Sequence, residues 1–271
     1  MKLIILWSGG AIPTPRLNCD CENCNAARLD PKFKRNNTSL FIDDGKILID
    51  CPEDIGDSLY RNNIQNIEHL FITHWHPDHT FGLRIVLESV YDFYLHETKA
   101  PITLHLPRTV HEDIKKYYPA ISYLIDVRKM ANIEYIEHGN SIKINNTIVT
   151  AVWFSWVESN TFGYIFESEN KKCLYAPCDT MQVVPEVVEW YFKNLDILVH
   201  ECGILSSEVK TEISFDELIN RIRFCNPKKT IITHIEEIEV KRWWKSYFHE
   251  LHWKYPDVNF EYASDGLSIE L

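Results

Sequence analysis

The sequence contains no apolar run of the roughly 18 to 20 residues that a membrane-spanning helix needs. The apolar stretch at its start, MKLIILW, is too short for the core of a secretion signal, and it predicts a buried first strand instead. We therefore expect a cytoplasmic protein with no membrane partner. Internal repeats, low-complexity tracts and Gly/Ser-rich linkers are also missing, and the length allows one large domain or two small ones.

An excess of basic residues is missing as well. The chain has 39 acidic and 28 basic residues, which gives a formal net charge of −11. Broad nucleic-acid-binding surfaces are usually basic, so this balance argues against nucleic acid as a partner. Bound divalent cations would offset part of the negative charge.

Eight cysteines occur without a recognisable secretion signal, which favours reduced thiols or metal ligands over disulfides. Three of them, Cys19, Cys21 and Cys24, lie together in CDCENC. Thiolates at this spacing can hold one zinc ion in a closed structural site that needs a fourth ligand, and three free thiols in a loop are the alternative. The remaining five are scattered singly and are each predicted to be small buried side chains: Cys51, Cys173, Cys178, Cys202 and Cys225.

Hydrophobic periodicity predicts strands alternating with helices in two strand-rich halves. Strands are predicted in residues 2–7, 38–42, 46–50, 69–73, 102–106, 141–154, 162–176, 196–200, 229–233 and, as two short strands, 258–271. Helices are predicted in residues 53–62, 80–95, 109–117, 184–193, 214–225 and 239–254. This order favours an α/β fold in which two sheets pack together with helices outside.

The segment ITHWHPDHTFG, residues 72–82, places three histidines and one aspartate within six positions directly after an apolar run. On a turn, His74 and His76 can point to one metal ion, while Asp78 and His79 can reach a second. Imidazole and carboxylate together suit zinc, manganese or iron. Two ions roughly 3.5–4 Å apart would hold a hydroxide and polarise a phosphoryl oxygen. A chance cluster of surface histidines is the alternative.

This segment matches HxHxDH, so the chain resembles the metallo-β-lactamase superfamily over most of its length. The resemblance implies a four-layer αβ/βα sandwich, formed by one domain over residues 1–271 with a Cys-rich loop at about 10–36. It also implies that Asp179, in APCDT, bridges the two ions and that His234, in IITHI, completes the second. Taken alone, Asp179 could instead cap a helix and His234 could be a hydrogen-bonded core residue.

One histidine that the superfamily usually supplies to the first ion is missing. The strand before Asp179 should carry it, yet residues 154–167 contain no histidine and the expected register falls on Val157. Glu158, one position later, could provide oxygen and favour a harder metal such as manganese, or it could be a surface charge. A water could otherwise fill the gap, or the centre could hold one ion instead of two.

CxCxxC followed by HxHxDH resembles a narrower group in the superfamily, the cyclic-phosphate phosphodiesterases of the carbon–phosphorus lyase pathway and a related protein of pyrroloquinoline quinone biosynthesis. In those phosphodiesterases a histidine completes the structural zinc site, and its position here is Glu237. Glu236 and Glu237 can both offer oxygen. The segment DILVHEC resembles one in tRNA 3′-end-processing nucleases. It makes His200 a candidate for orienting Asp179 or transferring a proton, against the alternative of a histidine satisfied by backbone.

These patterns predict a metal-dependent hydrolase in which a metal-activated hydroxide, with Asp78 among the catalytic groups, attacks a small cyclic phosphodiester. The cofactors would be two zinc or manganese ions, or one only, and a structural zinc. The alternatives are an RNA 3′-processing nuclease, which would need a basic substrate arm, and a degenerate-site binding or biosynthetic protein, which the missing histidine favours. The aromatic stretch 239–254 is expected in the core or at a homodimer contact.

Overall fold

Two seven-stranded sheets dominate a computed structural model of the chain, which describes residues 1–155, 159–204, 212–240 and 246–271, without the side chains of 238, 240 and 246–249. The strands are β1 Lys2–Trp7, β2 Ser39–Ile42, β3 Ile47–Ile49, β4 His69–Phe71, β5 Tyr91–Asp92, β6 Glu97–Thr98, β7 Ile102–Leu106, β8 Ala131–Tyr135, β9 Ser141–Ile144, β10 Thr147–Ser155, β11 Thr161–Ser168, β12 Lys171–Ala176, β13 Ile197–Glu201, β14 Lys229–Thr233, β15 Phe260–Tyr262 and β16 Leu267–Glu270. The α-helices are α1 Glu22–Leu29, α2 Ile55–Arg61, α3 Pro77–Thr80, α4 Leu83–Glu88, α5 Arg108–Tyr117, α6 Ala120–Ser122, α7 Pro185–Tyr191, α8 Phe215–Cys225, α9 Glu237–Val240 and α10 Ser246–Lys254.

The strand order places two sets of parallel strands in the molecule. The first sheet runs β16-β1-β2-β3-β4-β7-β8, and the second runs β15-β14-β13-β12-β11-β10-β9. Strands β3, β4, β7 and β8 are parallel to one another in the first sheet, as are β12 to β15 in the second. Loops at the carboxyl ends of parallel strands are where such folds place their ligand sites.

The main core lies between the sheets, because side chains on a strand alternate between its two faces. On β12, the buried Cys173 and Tyr175 join the core shared with the first sheet, whereas Leu174 and Ala176 pack on the other face with residues of α7. Helices α8 and α10 cover the same outer face further along. The four-layer αβ/βα sandwich expected from the sequence is confirmed.

The Cys-rich loop at about 10–36 contains α1 and a short 3₁₀ turn, Pro31–Phe33. Isolated bridges join Gly9 to Asn37 and to Ile235, which attaches the base of this loop to the segment after β14. Gly10 permits a close approach there, since a Cβ atom at this position would lie 2.1 Å from Glu236 Oε1. The same carboxylate oxygen accepts a hydrogen bond of 2.9 Å from the backbone N–H of Ala11.

The helix predicted for residues 80–95 is wrong in its second half. Helix α4 ends at Glu88, and a short hairpin of β5 and β6 follows. Asp92 Oδ1 accepts the backbone N–H groups of Tyr94 and Leu95 at 2.8 and 3.1 Å, and this local turn replaces the helical hydrogen bonds. Strand β8 was not predicted from the sequence, because exposed polar residues interrupt its apolar pattern.

The predicted helix 239–254 corresponds to α9 and α10, and residues 241–245 between them lie outside the described part. Most other predicted elements are present within a few residues of their expected ends, as is usual for helix and strand boundaries. Among the described residues, no helix is both long and apolar enough to cross a membrane.

Phe166 on β11 is fully buried in the main core, so we expect its truncation to destabilise the fold strongly. Phe166→Ala should lower the free energy of unfolding by about 3–5 kcal/mol, since it removes apolar contacts and leaves a cavity. Urea unfolding at fixed metal content measures this. The matched control is Phe93→Ala, because Phe93 is 62% exposed. A loss at Phe166 as small as that at Phe93 would contradict the packing described.

The carboxylate of Asp265 predicts a pH-dependent contribution to stability. Its Oδ1 accepts from Ser8 N and Oγ at 3.0 and 2.7 Å, while its Oδ2 is enclosed without a hydrogen-bond partner among the described residues. Burial raises the pKa of Asp265 from 3.8 to about 6, against the opposing effect of Arg35. The folded state therefore favours the protonated acid, and this stabilisation is lost as the pH rises from about 4 through about 6.

Asp265→Asn should not show this loss, because its amide does not ionise. The difference in free energy of unfolding between the variant and the wild type should therefore shift in favour of the variant between about pH 4 and pH 7. Urea unfolding of both proteins across that range tests it. A difference that is independent of pH would show that Asp265 does not titrate with a raised pKa.

Candidate metal centre

The HxHxDH turn leaves the carboxyl end of β4 and enters α3. Pro77 occupies the first position of this helix, where its missing N–H costs no hydrogen bond. The hydroxyl of Thr80 donates to the backbone oxygens of Trp75 and His76 at 2.8 and 2.9 Å, which closes the turn. The Trp75 ring stacks on Tyr117 with centroids 4.1 Å apart. The backbone between His74 and His79 is therefore held by the Thr80 hydrogen bonds and by the packing of Trp75 on Tyr117.

Asp50, at the end of β3, fixes the orientation of the His79 ring. Both side chains are fully buried, and Asp50 Oδ2 lies 2.8 Å from His79 Nδ1. Asp50 also accepts the backbone N–H of Thr73 at 2.8 Å and the Thr73 hydroxyl. Because Nδ1 donates to the carboxylate, Nε2 is left to face the interior of the site, an arrangement common behind metal-binding histidines. The sequence analysis assigned Asp50 no role.

Asp78, His79 and His234 converge at distances that suit one ion. Asp78 Oδ2 lies 3.3 Å from His79 Nε2 and 3.5 Å from His234 Nε2. Two ligand atoms bound tetrahedrally at about 2.0–2.1 Å from zinc would be about 3.4 Å apart. His79 Nε2 and both ring nitrogens of His234 are buried and have no hydrogen-bond partner in the described part of the chain. A cation would satisfy these nitrogens, so the residues fit the metal that the sequence predicts.

The pKa shifts in this trio show how strongly it attracts positive charge. Burial would lower the pKa of His79, but Asp78 and Asp50 outweigh it and raise the pKa well above its ordinary value. Burial would likewise raise the pKa of Asp78, yet His79 and His234 hold it well below the ordinary value. The two buried carboxylates thus favour positive charge in this part of the site, and a divalent cation can supply it.

His74 and His76 form a second pair of nitrogens beside this trio. His74 is fully buried, and its Nε2 lies 3.1 Å from His76 Nδ1, close to the spacing of two ligands on one ion. The other nitrogen of His74 lies 3.0 Å from the Thr73 hydroxyl. The ring centroids of His74 and His79 are 4.2 Å apart, so the His74–His76 pair lies directly beside the trio.

Cys178 joins these histidines, which the sequence analysis did not foresee. Its sulfur and one ring nitrogen each of His74 and His79 all lie within 4.8 Å of one another. The prediction of a simple buried thiol is wrong for Cys178, which is only partly buried, but it is confirmed for the other four single cysteines. The available signal was its place directly before Asp179 in a chain that lacks one expected histidine.

Asp179 follows Cys178 in a left-handed backbone conformation, with a φ of 54°. Its Oδ2 accepts hydrogen bonds from Ser159 Oγ at 3.2 Å and from Thr161 Oγ1 at 2.6 Å. Asp179 does not act as the helix cap considered as the alternative, because its side chain makes no cap hydrogen bond to the turn that follows. In the described part of the chain, Asp179 belongs to none of the groups of ligand atoms within 4.8 Å. Its bridging role stays a prediction.

Glu158, the substitute ligand considered for the missing histidine, lies outside the described residues. The role of His200 also stays a prediction, and its surroundings weigh against proton transfer. The ring is fully buried, its Nδ1 lies 2.6 Å from the Glu201 carbonyl oxygen, and its Nε2 lies 3.1 Å from Arg221 Nη1. Burial and Arg221 lower the pKa of His200 to about 3. Both ring nitrogens are thus occupied, and the ring is neutral.

Three carboxylates surround His234, an arrangement that the sequence did not predict. Glu201 and Glu212 each place an oxygen within 4.8 Å of a His234 nitrogen, and Glu236 Oε1 lies 3.7 Å from His234 Nδ1. Burial, opposed by His234, raises the pKa of Glu212 to about 8. Glu212 therefore holds a proton near neutral pH, and a cation bound beside His234 could displace it.

The CDCENC segment and Glu237 form a separate cluster of four potential ligands. Glu237 Oε1 lies 3.6, 3.9 and 3.3 Å from the sulfurs of Cys19, Cys21 and Cys24. An oxygen and a sulfur bound tetrahedrally to zinc at about 2.0 and 2.3 Å would be about 3.5 Å apart. The geometry therefore fits a zinc ion held by three thiolates and the Glu237 carboxylate, with Glu237 in place of a histidine.

Solved structures with this fold include a diphosphatase from the PhnP family, with a TM-score of 0.79, 24% identity, and coverage of 100% of this chain and 96% of that one. Zinc-bound PqqB from Methylobacterium extorquens has a TM-score of 0.80 at 18% identity, with 100% of both chains covered. Ribonuclease Z of Clostridium tetani is 31% identical over 126 residues, which are 46% of this chain and 34% of that protein.

The chain spans half or less of the length of each curated relative that it matches. The solved neighbours confirm the metallo-β-lactamase fold, and the resemblance to the PhnP family is confirmed at the level of the fold. A family model described as anti-Pycsar protein Apyc1 matches residues 25–240. The chain therefore belongs to the anti-Pycsar Apyc1 family of metallo-β-lactamase-fold proteins.

Proposed function

We propose that this protein is a metal-dependent phosphodiesterase that hydrolyses a small cyclic phosphodiester. The observation that supports this most is the convergence of Asp78, His79 and His234, whose buried ring nitrogens lack hydrogen-bond partners among the described residues. His74 and His76 adjoin this trio with the spacing of a second pair of ligands. Two zinc or manganese ions, or one, would be held by these side chains.

The chain's own residues orient the site before any ion binds. Asp50 holds the His79 ring, and the Thr80 hydroxyl closes the turn that carries the histidines. When bound, the ions would activate a water for attack on phosphorus and neutralise charge on the phosphoryl oxygens. Asp78 would bind an ion together with His79 and His234, since its Oδ2 faces both rings.

The charge around the site favours a small substrate. Glu236 Oε1 lies 3.7 Å from His234 Nδ1, and the chain carries a net charge of −11. A long polyanion such as RNA would meet repulsion from this environment, whereas a cyclic phosphodiester carries a single negative charge. The names of the neighbours, a diphosphatase and ribonuclease Z, agree with hydrolytic attack at phosphorus.

A second candidate is an RNA 3′-processing nuclease, which the similarity to ribonuclease Z favours. Such an enzyme binds its substrate through many phosphate contacts and would need a basic surface. A third candidate is a protein that binds metal and ligand without hydrolysis. The missing histidine favours it, because a site with fewer ligands holds its ions less firmly.

A substrate panel separates the three candidates. The protein loaded with zinc or manganese should hydrolyse bis-p-nitrophenyl phosphate and the five- or six-membered cyclic phosphate ring of 2′,3′- or 3′,5′-cyclic nucleotides, and should leave precursor tRNA intact. Product analysis by chromatography measures this. Cleavage of precursor tRNA alone would favour the nuclease, and full metal content without turnover of any diester would favour the non-hydrolytic protein.

Asp78 and Asp50 should affect the site in different ways. Asp78→Asn removes a charged ligand, so we expect loss of bound metal and a fall of about 100-fold or more in diesterase kcat/KM. Asp50→Asn removes only the group that orients His79, and a fall of about 10- to 100-fold in metal affinity or activity is expected. Metal analysis and assays on bis-p-nitrophenyl phosphate measure both.

Asp57→Asn is the matched control, because Asp57 is a half-exposed carboxylate that pairs with Arg61 on the surface of α2. It should leave metal content and rate unchanged. A diesterase rate in Asp78→Asn equal to that of the control would exclude Asp78 from the reaction and would refute the proposed centre.

The proposed structural zinc should depend on Glu237. Glu237→Ala leaves three thiolates, so it should lower zinc retention during dialysis against a chelator, while Glu237→Cys should retain zinc as a four-thiolate site. Zinc analysis after dialysis and the thermal unfolding midpoint measure the effect. Equal zinc retention by wild type and Glu237→Ala would show that the carboxylate is not the fourth ligand.

A further inference from the structure

The histidine centre has a sulfur atom at the junction of its two parts. The Cys178 sulfur lies within 4.8 Å of a ring nitrogen of His74, from the first pair, and of one from His79, in the trio. The thiol is partly buried, whereas both rings are fully buried. His79 Nε2 has no hydrogen-bond partner among the described residues, so this ring also offers a buried nitrogen that is able to bind a metal.

The neighbouring Asp179, by contrast, is engaged elsewhere. Its Oδ2 accepts from the hydroxyls of Ser159 and Thr161, which come from the end of the β10–β11 connection and the start of β11. These residues belong to the stretch in which the expected histidine is missing. The stretch therefore holds Asp179 through hydroxyl groups, and Cys178 is the side chain of this loop that reaches both sets of histidines.

We propose that Cys178 is a ligand of the metal centre, placed between the His74 and His79 sets, and that its thiolate makes up for the missing histidine. The inference rests on the metal centre of the proposed function. On binding, a sulfur–metal bond forms and the thiol proton passes to solvent, since the thiolate is the ligand form of cysteine. Thiolate is a soft ligand, so it favours zinc over manganese, whereas an oxygen ligand at Glu158 would favour manganese.

Cobalt(II) provides a readout that does not depend on catalysis, because thiolate ligands give it a charge-transfer absorption in the near ultraviolet. The wild type, Cys178→Ser and Cys225→Ser are loaded with cobalt and compared. The Cys19–Cys24 cluster is unchanged in all three, so it cancels in the difference spectra. Cys225 is the matched control, since it is a single buried thiol on α8.

We expect the wild type minus Cys178→Ser spectrum to show a thiolate band, and the wild type minus Cys225→Ser spectrum to show none. Affinity for zinc at the histidine centre should fall by about tenfold or more in Cys178→Ser, at least as much as on loss of a supporting partner of a ligand. Cys178→Asp should recover metal binding with a preference shifted toward manganese, because it replaces sulfur with oxygen.

Two results would overturn the inference, and they differ in what else they affect. If Cys178→Ser binds cobalt with the same spectrum and affinity as the wild type, Cys178 is not a ligand, and the histidine centre still stands. If none of the proteins binds cobalt beyond the Cys19–Cys24 cluster, the proposed metal centre fails together with the inference.

Alkylation of the unmodified wild type gives a second test, in case the serine variant does not fold. Cys178 is partly exposed, so iodoacetamide should label it in chelator-treated protein and label it much more slowly after zinc is added. Peptide mass spectrometry identifies the site, and the fully buried Cys173 should remain unlabelled in both samples. Labelling of Cys178 that is independent of zinc would overturn the inference.

Discussion

The Asp50 carboxylate supports more of this molecule than any single metal-site residue does. It ends β3, accepts the N–H and hydroxyl of Thr73 after β4, and holds Nδ1 of His79. A fully buried carboxylate is costly unless it is fully hydrogen-bonded, and here two neighbouring strand ends and the histidine turn satisfy it together. The orientation of the His79 ring, and so the trio with Asp78 and His234, follows from this one group.

The two-sheet architecture brings distant parts of the chain together at the metal centre. The turn after β4 comes from the first sheet, while Cys178 and His234 follow β12 and β14 of the second. In both sheets these strands are parallel, so their carboxyl ends meet at one edge. The apolar core between the sheets therefore sets the distance between His79 and His234. Strand β12 stabilises this arrangement from both faces, because its buried side chains alternate between the core shared by the sheets and the outer core.

The order of strands and helices predicted two packed sheets with helices outside, and the resemblance to the metallo-β-lactamase superfamily implied the four-layer sandwich. The histidine turn was predictable because its ligands are closely spaced in the sequence. The sequence did not predict Cys178, Glu201 or Glu212 near the histidines, since those contacts join segments that are far apart in the chain. The prediction that a helix continues past Glu88 was wrong for a different reason. Apolar spacing favoured a helix, and the local turn made by Asp92 carries no periodic signal.

The attachment of the N-terminal loop has a consequence for how metals are taken up. Glu236 joins the loop to His234, and the adjacent Glu237 faces the three thiols. An ion among the thiols would restrain Glu237, and through the shared backbone it would restrain the segment that positions His234. Coupling through this segment would be reciprocal, so an ion at either site would strengthen retention of the other. Loading of this chain would then be cooperative across sites that share no ligand.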